Sequence, residues 1–413
     1  MARILIVVPP LAGHINPALS VAAELRYRGH EVAWALHREL VPDLLPADAE
    51  IYALPASSSL ELGQRSCGVR GLESVKFFYE QFCLPLARAS LQPLQDIVAA
   101  VQPDLMICDH QMLAGALVAR ALEIPWFTLA STNVSILKMS GVIDAWLEEQ
   151  FAGVQREYGV PVQARPDFSS YGVIVFSSEA MPGGKYPYYE APYHFVGPAF
   201  THRPQELEFP WQELRPDAAR ILISLGTVSR DRGVRFYEVM MEALGNLTLS
   251  DTYLSRRPLQ VVMVAPQELR ERLPANFIVR PRVPQIEVLA HMDAVLCHGG
   301  HNTVCEALSF GLPLIVAPIR DDQPIVARQV IDAGAGLFMR YGKISVAAAR
   351  TAVETLLREP ACRDGALRLK ESFRGLGGAI QAASILERFV RGESLAPNRH
   401  PSAVRPGASH AVG

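Results

Sequence analysis

What the 413-residue chain has little of narrows the field first. It has no surplus of basic residues. Lys and Arg number 39 against 42 Asp and Glu, a formal charge of −3, so nothing in the balance favours a nucleic-acid backbone as partner. No window reaches the roughly 18 consecutive apolar residues of a membrane-spanning helix. The opening Met1-Ala2-Arg3-Ile4-Leu5-Ile6-Val7-Val8-Pro9-Pro10 stops at prolines, where a secretion signal would run on to a small-residue cleavage site. It reads as a buried strand, and the protein is expected in the cytoplasm. Cysteine is sparse and scattered over Cys67, Cys83, Cys108, Cys297, Cys305 and Cys362. Several of these lie in apolar runs, where a free thiol behaves as a small hydrophobe, so a disulfide framework is excluded.

What is present is a globular composition, 49% hydrophobic, in a chain long enough for two domains. Short apolar runs alternate with longer amphipathic ones. In the first half, strands are expected at Arg3–Val8, Glu31–Leu36, Asp104–Cys108, Trp126–Ala130 and Gly172–Phe176. Helices are expected at Asn16–Arg28, at Ser74–Ala99 with breaks at its internal prolines, and at Met112–Leu122. Residues 201–219 carry three prolines and no clear period and read as a linker. The alternation then restarts, with strands at Arg220–Leu225, Leu259–Val264, Phe277–Val279, Ala294–Cys297 and Leu314–Ala317, and helices at Asn302–Phe310, Pro324–Ala333 and Val346–Arg358. Such alternation predicts an α/β protein of two Rossmann-like domains in series, 1–200 and 220–376. A further helix is expected over 377–392, and 393–413, rich in Pro, Ser, His and Gly, reads as a disordered tail.

In open α/β sheets, ligands bind beyond the carboxyl ends of the strands. The polar residues at those positions are therefore candidates. The first strand is followed by Gly13-His14-Ile15-Asn16-Pro17, with Asn16 suited to cap a helix that begins at Pro17. The strand ending at Cys108 is followed by Asp109-His110, and Leu225 by Gly226-Thr227. Cys297 is followed by His298-Gly299-Gly300-His301-Asn302-Thr303, where two glycines allow close approach of a ligand and a helix N-terminus offers free N–H groups to phosphate. This loop has no Walker lysine, and neither glycine loop matches G-x-G-x-x-G, so nicotinamide chemistry is a weak reading.

The segment from Arg282-Val283-Pro284-Gln285 through His298-Gly299-Gly300-His301-Asn302-Thr303, Glu306, Gly311-Leu312-Pro313, Pro318 and Asp322-Gln323 resembles the donor-binding signature of the family 1 nucleotide-sugar glycosyltransferases. Gly13-His14-Ile15-Asn16-Pro17 resembles the same family's catalytic loop, and Val196-Gly197-Pro198 also matches it. The resemblance covers roughly residues 1–392. It implies the GT-B fold, two Rossmann-like domains facing an interdomain cleft, with the acceptor in the first, the nucleotide sugar in the second, and the helix over 377–392 packed back on the first. It implies His14 as general base and Asp109 as its acidic partner. Thr227, His298, Asn302 and Thr303 would meet the diphosphate, Glu306 the ribose, and Asp322 and Gln323 the sugar hydroxyls, with Arg282, Val283, Gln285 and Gly300 also in the donor site. Arg282 stands where many relatives have Trp, which leaves a uracil or thymine nucleotide open, although a guanidinium also stacks on a ring.

The expected activity is transfer of a hexose from a UDP- or dTDP-sugar to a hydroxyl of a small apolar natural product, a polyketide, carotenoid or phenolic, with inversion and without metal or other cofactor. Rival readings on the same fold are a sugar-nucleotide 2-epimerase and a lipid-linked glycosyltransferase; a rival of another class is a non-catalytic nucleotide-sugar-binding helper. Bland readings stand beside the sharp ones. His14 and Asp109 are also ordinary loop and turn residues, and Asp322-Gln323 an ordinary helix cap. The string from Cys297 to Cys305 lacks the paired thiolates of a zinc site. Phe77-Phe78-Tyr79 with Phe82 reads as core.

Overall fold

The computed structural model describes residues 1–37, 44–55, 72–184, 187–200, 207–226, 233–249, 257–266, 268–269 and 273–395. Thr227, the 201–206 part of the expected linker and the tail from 396 lie outside them.

Each half builds a parallel sheet. The first holds β1 (Arg3–Val7), β2 (Glu31–Leu36), β3 (Glu50–Ala53), β4 (Leu105–Asp109), β5 (Trp126–Ala130), β6 (Val173–Val175) and β7 (Tyr193–Phe195), in the order β3-β2-β1-β4-β5-β6-β7. The second holds β8 (Ala219–Ser224), β9 (Thr248–Leu249), β10 (Arg257–Val264), β11 (Phe277–Arg280), β12 (Ala294–Cys297), β13 (Leu314–Val316) and β14 (Gly336–Phe338), in the order β11-β10-β8-β12-β13-β14, with β9 antiparallel on β10. Helices cover both faces, which is why the central strands are apolar at every position rather than at alternate ones. Ile4, Ile6 and Val8 enter one core with Val21 and Leu25, while Leu5 and Val7 enter the opposite core with Leu86, Leu94 and Leu117. In the second half Ile221 and Ile223 face one core and Leu222 the other.

In both sheets the first strand lies between neighbours reached in opposite directions. The chain leaves β1 to build β2 and β3, then returns to lay β4 on its other side. It leaves β8 to build β10 and β11, then returns to lay β12. Each reversal opens a crevice at the carboxyl ends of the paired strands. Of the expected site residues, His14 follows β1, Asp109 ends β4 and His298–Thr303 follow β12, strands that frame the two crevices, while Arg282, Val283 and Gln285 follow β11 and Asp322 and Gln323 follow β13.

Two local expectations are corrected. The first helix is Ala12–Tyr27, not Asn16–Arg28. Leu11, in extended conformation, caps it, and Pro17 is inside it. The stretch from Ser74 is not broken at its prolines. A helix over Leu72–Phe78 widens into a π turn at Tyr79–Cys83 and resumes as Leu84–Val101, with Pro85 in the first turn after the widening. Strands β3, β7, β9 and β14 and the helices Gly141–Tyr158, Val234–Leu244 and Pro360–Phe373 were not among the expected elements. These strands are only two to four residues long, too short to show a period.

The helix Gly378–Val390 returns to the first sheet. Ala382, Ala383 and Leu386 join the core that holds Ile4 and Ile6. The Arg28 guanidinium donates to Glu387 at 3.2 Å, to Ser384 at 2.9 Å and to the Ile380 carbonyl at 3.1 Å. The Gly378 N–H donates to Val196 O at 2.6 Å. No described helix is long and apolar enough to cross a membrane. Leu386 is fully buried, so Leu386→Ala is expected to cost about 2–5 kcal/mol in chemical denaturation. A cost near zero would show that this helix adds nothing to the first core.

Candidate functional site

His14 lies in the first turn of the helix that follows β1, rather than in a loop before it. Its Nδ1 is 2.9 Å from Asp109 Oδ2, at the end of β4, and 2.7 Å from Ser131 Oγ, just after β5. The other Asp109 oxygen accepts the Gln111 N–H at 2.8 Å. Burial opposes ionisation of Asp109, but the two nearby imidazoles and these hydrogen bonds outweigh it and hold its pKa below the ordinary value. A carboxylate that stays ionised has no proton to give, so Nδ1 of His14 carries one and Nε2 is the basic nitrogen. His110, its ring 5.6 Å from that of His14, donates towards Leu129 O at 3.3 Å, and burial lowers its pKa. It is a neutral neighbour.

The facing wall comes from the second sheet. His298 follows β12 and is packed between two glycines. A Cβ on Gly226 would lie 2.6 Å from the imidazole Cε1, and one on Gly300 would lie 2.7 Å from Nε2. Gly226 also has φ +72°, a conformation that side chains disfavour. Burial, with a small contribution from Arg320, lowers the His298 pKa to about 4 against the Ser224 backbone, leaving it neutral. The helix His301–Ser309 starts here, and its unpaired first-turn N–H groups open on the cavity. His301 turns its imidazole to the Phe176 carbonyl at 3.3 Å and, also buried, has its pKa lowered to about 4.

Two hydrogen bonds cross the cleft at this point. Pro17 has no N–H, so the Gly13 carbonyl, four residues earlier, has no helical donor. Asn302 of the second sheet's helix supplies one, its Nδ2 donating to Gly13 O at 2.7 Å. Asp322 occupies the cap position of the helix Gln323–Asp332 but makes no cap bond. Instead its Oδ2 accepts from Thr132 Oγ1 at 2.8 Å. Burial raises the Asp322 pKa, and the Thr132 bond partly offsets this. Gln323 spends its Oε1 on the Ile319 and Arg320 N–H groups at 2.9 and 3.1 Å. Gln285 donates to Glu306 Oε2 at 2.5 Å. Arg282, Val283 and Thr303 line the same cavity. All of the expected site residues except Thr227, which is not described, and the buried Asp109 behind His14 line it.

The cavity measures about 1300 Å³ and is walled by both halves. Phe77, Phe78, Tyr79 and Phe82 were expected in the core. Phe82 is buried in the first domain's core with Phe78 and Tyr79 packed against it, and all four also line this cavity, together with Ile143 and Leu147. Arg165 lies at the same wall, stacked 3.9 Å from Phe168 and 4.0 Å from Tyr189 and ion-paired with Asp167 at 2.5 Å. Ser131, Thr132 and Asp321 were also not singled out from sequence. The strand-end rule applied to Trp126–Ala130 would have found the first two. Asp321 has φ +56°, and burial lifts its pKa to about 6 despite Arg320.

This arrangement sets an imidazole with an ionised partner on one wall and the N–H groups of a helix start on the other. His14, Asp109 and His110 also bring one ligand atom each within 4.8 Å of one another, but the Nδ1 of His14 is already engaged by Asp109 and Ser131. Cys297 and Cys305 are buried in the core, and burial lifts the Cys297 thiol to about 12.

Residues 260–375 match the model of the C-terminal domain of erythromycin biosynthesis protein CIII-like proteins. An uncharacterized UDP-glucosyltransferase of Bacillus subtilis, YojK, is 28% identical, the alignment covering 96% of this chain and all of that protein. The calicheamicin glycosyltransferase CalG4 superposes with a TM-score of 0.74 at 24% identity, over 95% of this chain and 98% of that one. The glycosyltransferase VinC, solved with dTDP, does so with a TM-score of 0.72 at 18% identity, over 94% of this chain and all of that one. Fold and site define a two-domain GT-B protein with a nucleotide-type crevice in its second domain. Over nearly its whole length the chain is similar to nucleotide-sugar glycosyltransferases of the natural-product type, and it shares their two-domain fold.

The buried imidazoles set an acid limit. The folded-state pKa values of His298 and His301, about 4, lie below the ordinary 6.5, so the unfolded chain takes up protons that the folded one refuses. Their contribution is fully present above about pH 6.5 and is lost as pH falls through 4. Asp321, raised from 3.8 to about 6, acts in the opposite direction. His301→Asn should therefore show a smaller drop in urea midpoint between about pH 7 and about pH 5 than the unaltered protein. An equal drop would mean that His301 does not contribute to the limit.

Proposed function

We propose that the protein is an inverting, metal-independent hexosyltransferase that moves a sugar from a UDP- or dTDP-sugar to a hydroxyl of a small apolar natural product. The observation that carries this reading is the His14–Asp109 pair, 2.9 Å apart, on the wall opposite the helix N-terminus at His301–Thr303 of a single cavity. The acceptor O–H gives its proton to His14 Nε2 as the oxygen forms its bond to the anomeric carbon from the face opposite the leaving group. The bond from that carbon to the diphosphate oxygen breaks, and its electron pair leaves on the diphosphate. Asp109 holds the imidazole in the required tautomer and stabilises the imidazolium. Free N–H groups of the helix, with Asn302, Thr303, Thr227 and the neutral His298, meet the departing charge. Glu306, held by Gln285, takes the ribose, and Arg282 and Val283 take the base. Asp322 keeps one oxygen and Gln323 its amide nitrogen for sugar hydroxyls, the other atom of each being engaged within the protein. The aromatic wall favours transfer over epimerisation, because an epimerase needs no apolar acceptor site beside its donor. The dTDP bound to VinC, a structural neighbour, supports a nucleotide diphosphate donor.

On this reading the dyad acts as a unit. His14→Ala should lower transfer to an alcohol acceptor by about 10²–10⁴-fold with donor binding intact. Asp109→Ala should cost less, since a neutral imidazole still accepts a proton. The double variant should be little worse than His14→Ala, because the partner then has nothing to support. Multiplicative losses would show that Asp109 works separately, and a fully active His14→Ala enzyme would remove the base assignment. Turnover should also survive EDTA, because protein groups meet the leaving charge. Loss with chelator, restored by a divalent ion, would overturn metal independence.

A further inference from the structure

The second contact of His14 Nδ1 is unclaimed by this mechanism. Ser131 Oγ lies 2.7 Å from His14 Nδ1, the same nitrogen that faces Asp109 at 2.9 Å. Ser131 is only 4% exposed and sits at the end of β5, beside β4 and one strand from β1. The direction of this bond follows from charge. Asp109 is ionised, so the proton of the pair is on Nδ1 and cannot come from the carboxylate. An Nδ1 that holds a hydrogen has no lone pair to receive one from a hydroxyl. Ser131 therefore accepts, and a single N–H is shared between a carboxylate oxygen and a hydroxyl oxygen. Neighbouring strand ends fix both acceptors, so Nδ1 is held by two groups where Asp109 alone would leave it one. As His14 takes the acceptor proton its charge rises, and an N–H of a cation donates more strongly than that of a neutral ring.

We infer that Ser131 is a positioning residue for His14: its hydroxyl oxygen shares the Nδ1–H with Asp109, fixes the ring for proton transfer and stabilises the imidazolium as it forms. This rests on the reading of His14 as the general base.

The test compares Ser131→Ala with the unaltered enzyme on two acceptors, an alcohol and an acidic phenol already ionised at the assay pH. With the alcohol, kcat should fall about tenfold, the worth of one hydrogen bond to a charged group, while the donor KM holds. The acid limb of the kcat profile should move to lower pH, because an imidazolium that has lost an acceptor gives up its proton more readily. With the ionised phenol, which needs no base, the loss should be near nil. Equal losses on both acceptors would place Ser131 in substrate binding or in the fold, and an unchanged rate on the alcohol would leave it no role; either overturns the inference. Failure of the underlying reading is separate, since it would appear as a His14→Ala enzyme fully active on the alcohol.

Discussion

One backbone carbonyl without a helical partner ties the two halves together. Pro17 removes the N–H that would have bonded Gly13 O, and Asn302 reaches across the cleft to replace it. A proline at that position weakens the first helix by one bond and gives the second domain a handle within a residue of the base. The same Asn302 stands in the first turn of the helix whose free amides face the cavity. Base and anion site are therefore held in register by a contact between two short motifs almost 290 residues apart. The Thr132–Asp322 bond repeats this on the other side of the base, since Thr132 is next to Ser131.

Around that constraint the site sorts its ionisable groups by burial. Asp109, wholly buried in its side chain, stays charged only because imidazoles and N–H groups surround it. His298, partly open to the cavity and packed against Gly226 and Gly300, gives up its charge. The outcome is an anion behind His14 and a neutral imidazole, His298, beside the helix start opposite it, an arrangement suited to negative charge developing on a leaving group at that helix start. The apolar lining strengthens each of these interactions by keeping the local dielectric low.

Sequence made the frame of this arrangement legible because it depends on local rules. A run such as Ile4-Leu5-Ile6-Val7-Val8, apolar at every position, means a strand covered on both faces, and ligands gather after such strands where their order reverses. His14, Asp109 and His298 were found in that way. The first helix was placed four residues late because Asn16 and Pro17 make a better local start than Leu11 does, and only the Asn302 contact explains why Pro17 is tolerated inside. The aromatic cluster was read as core, which holds for Phe82 with Phe78 and Tyr79 packed on it, but its second role as cavity lining was missed because periodicity tells which face of a helix is apolar, not whether that face meets a sheet or an opening. Arg165 gave no signal at all, since its partners Asp167, Phe168 and Tyr189 converge on it only through the fold of the loop that carries them.

This difference in legibility has a structural origin. The second sheet's wall is built from a few short stretches at strand ends, chiefly 281–287, 298–303 and 320–323, each a loop or a helix start legible from local sequence. The acceptor wall draws on the helix of Phe77 and Phe78, the ends of β4 and β5, the helix of Ile143 and Leu147, and the loops that hold Arg165 and Tyr189. No single segment defines it, so each can change without disturbing the base. The end of β5 is the exception. Ser131 is bonded to the base and Thr132 to the acid on the donor side, so a shift in that strand end would move proton acceptor and sugar contact together. The first sheet's wall is thus tied to His14 and to the second sheet at two adjacent residues, Ser131 and Thr132.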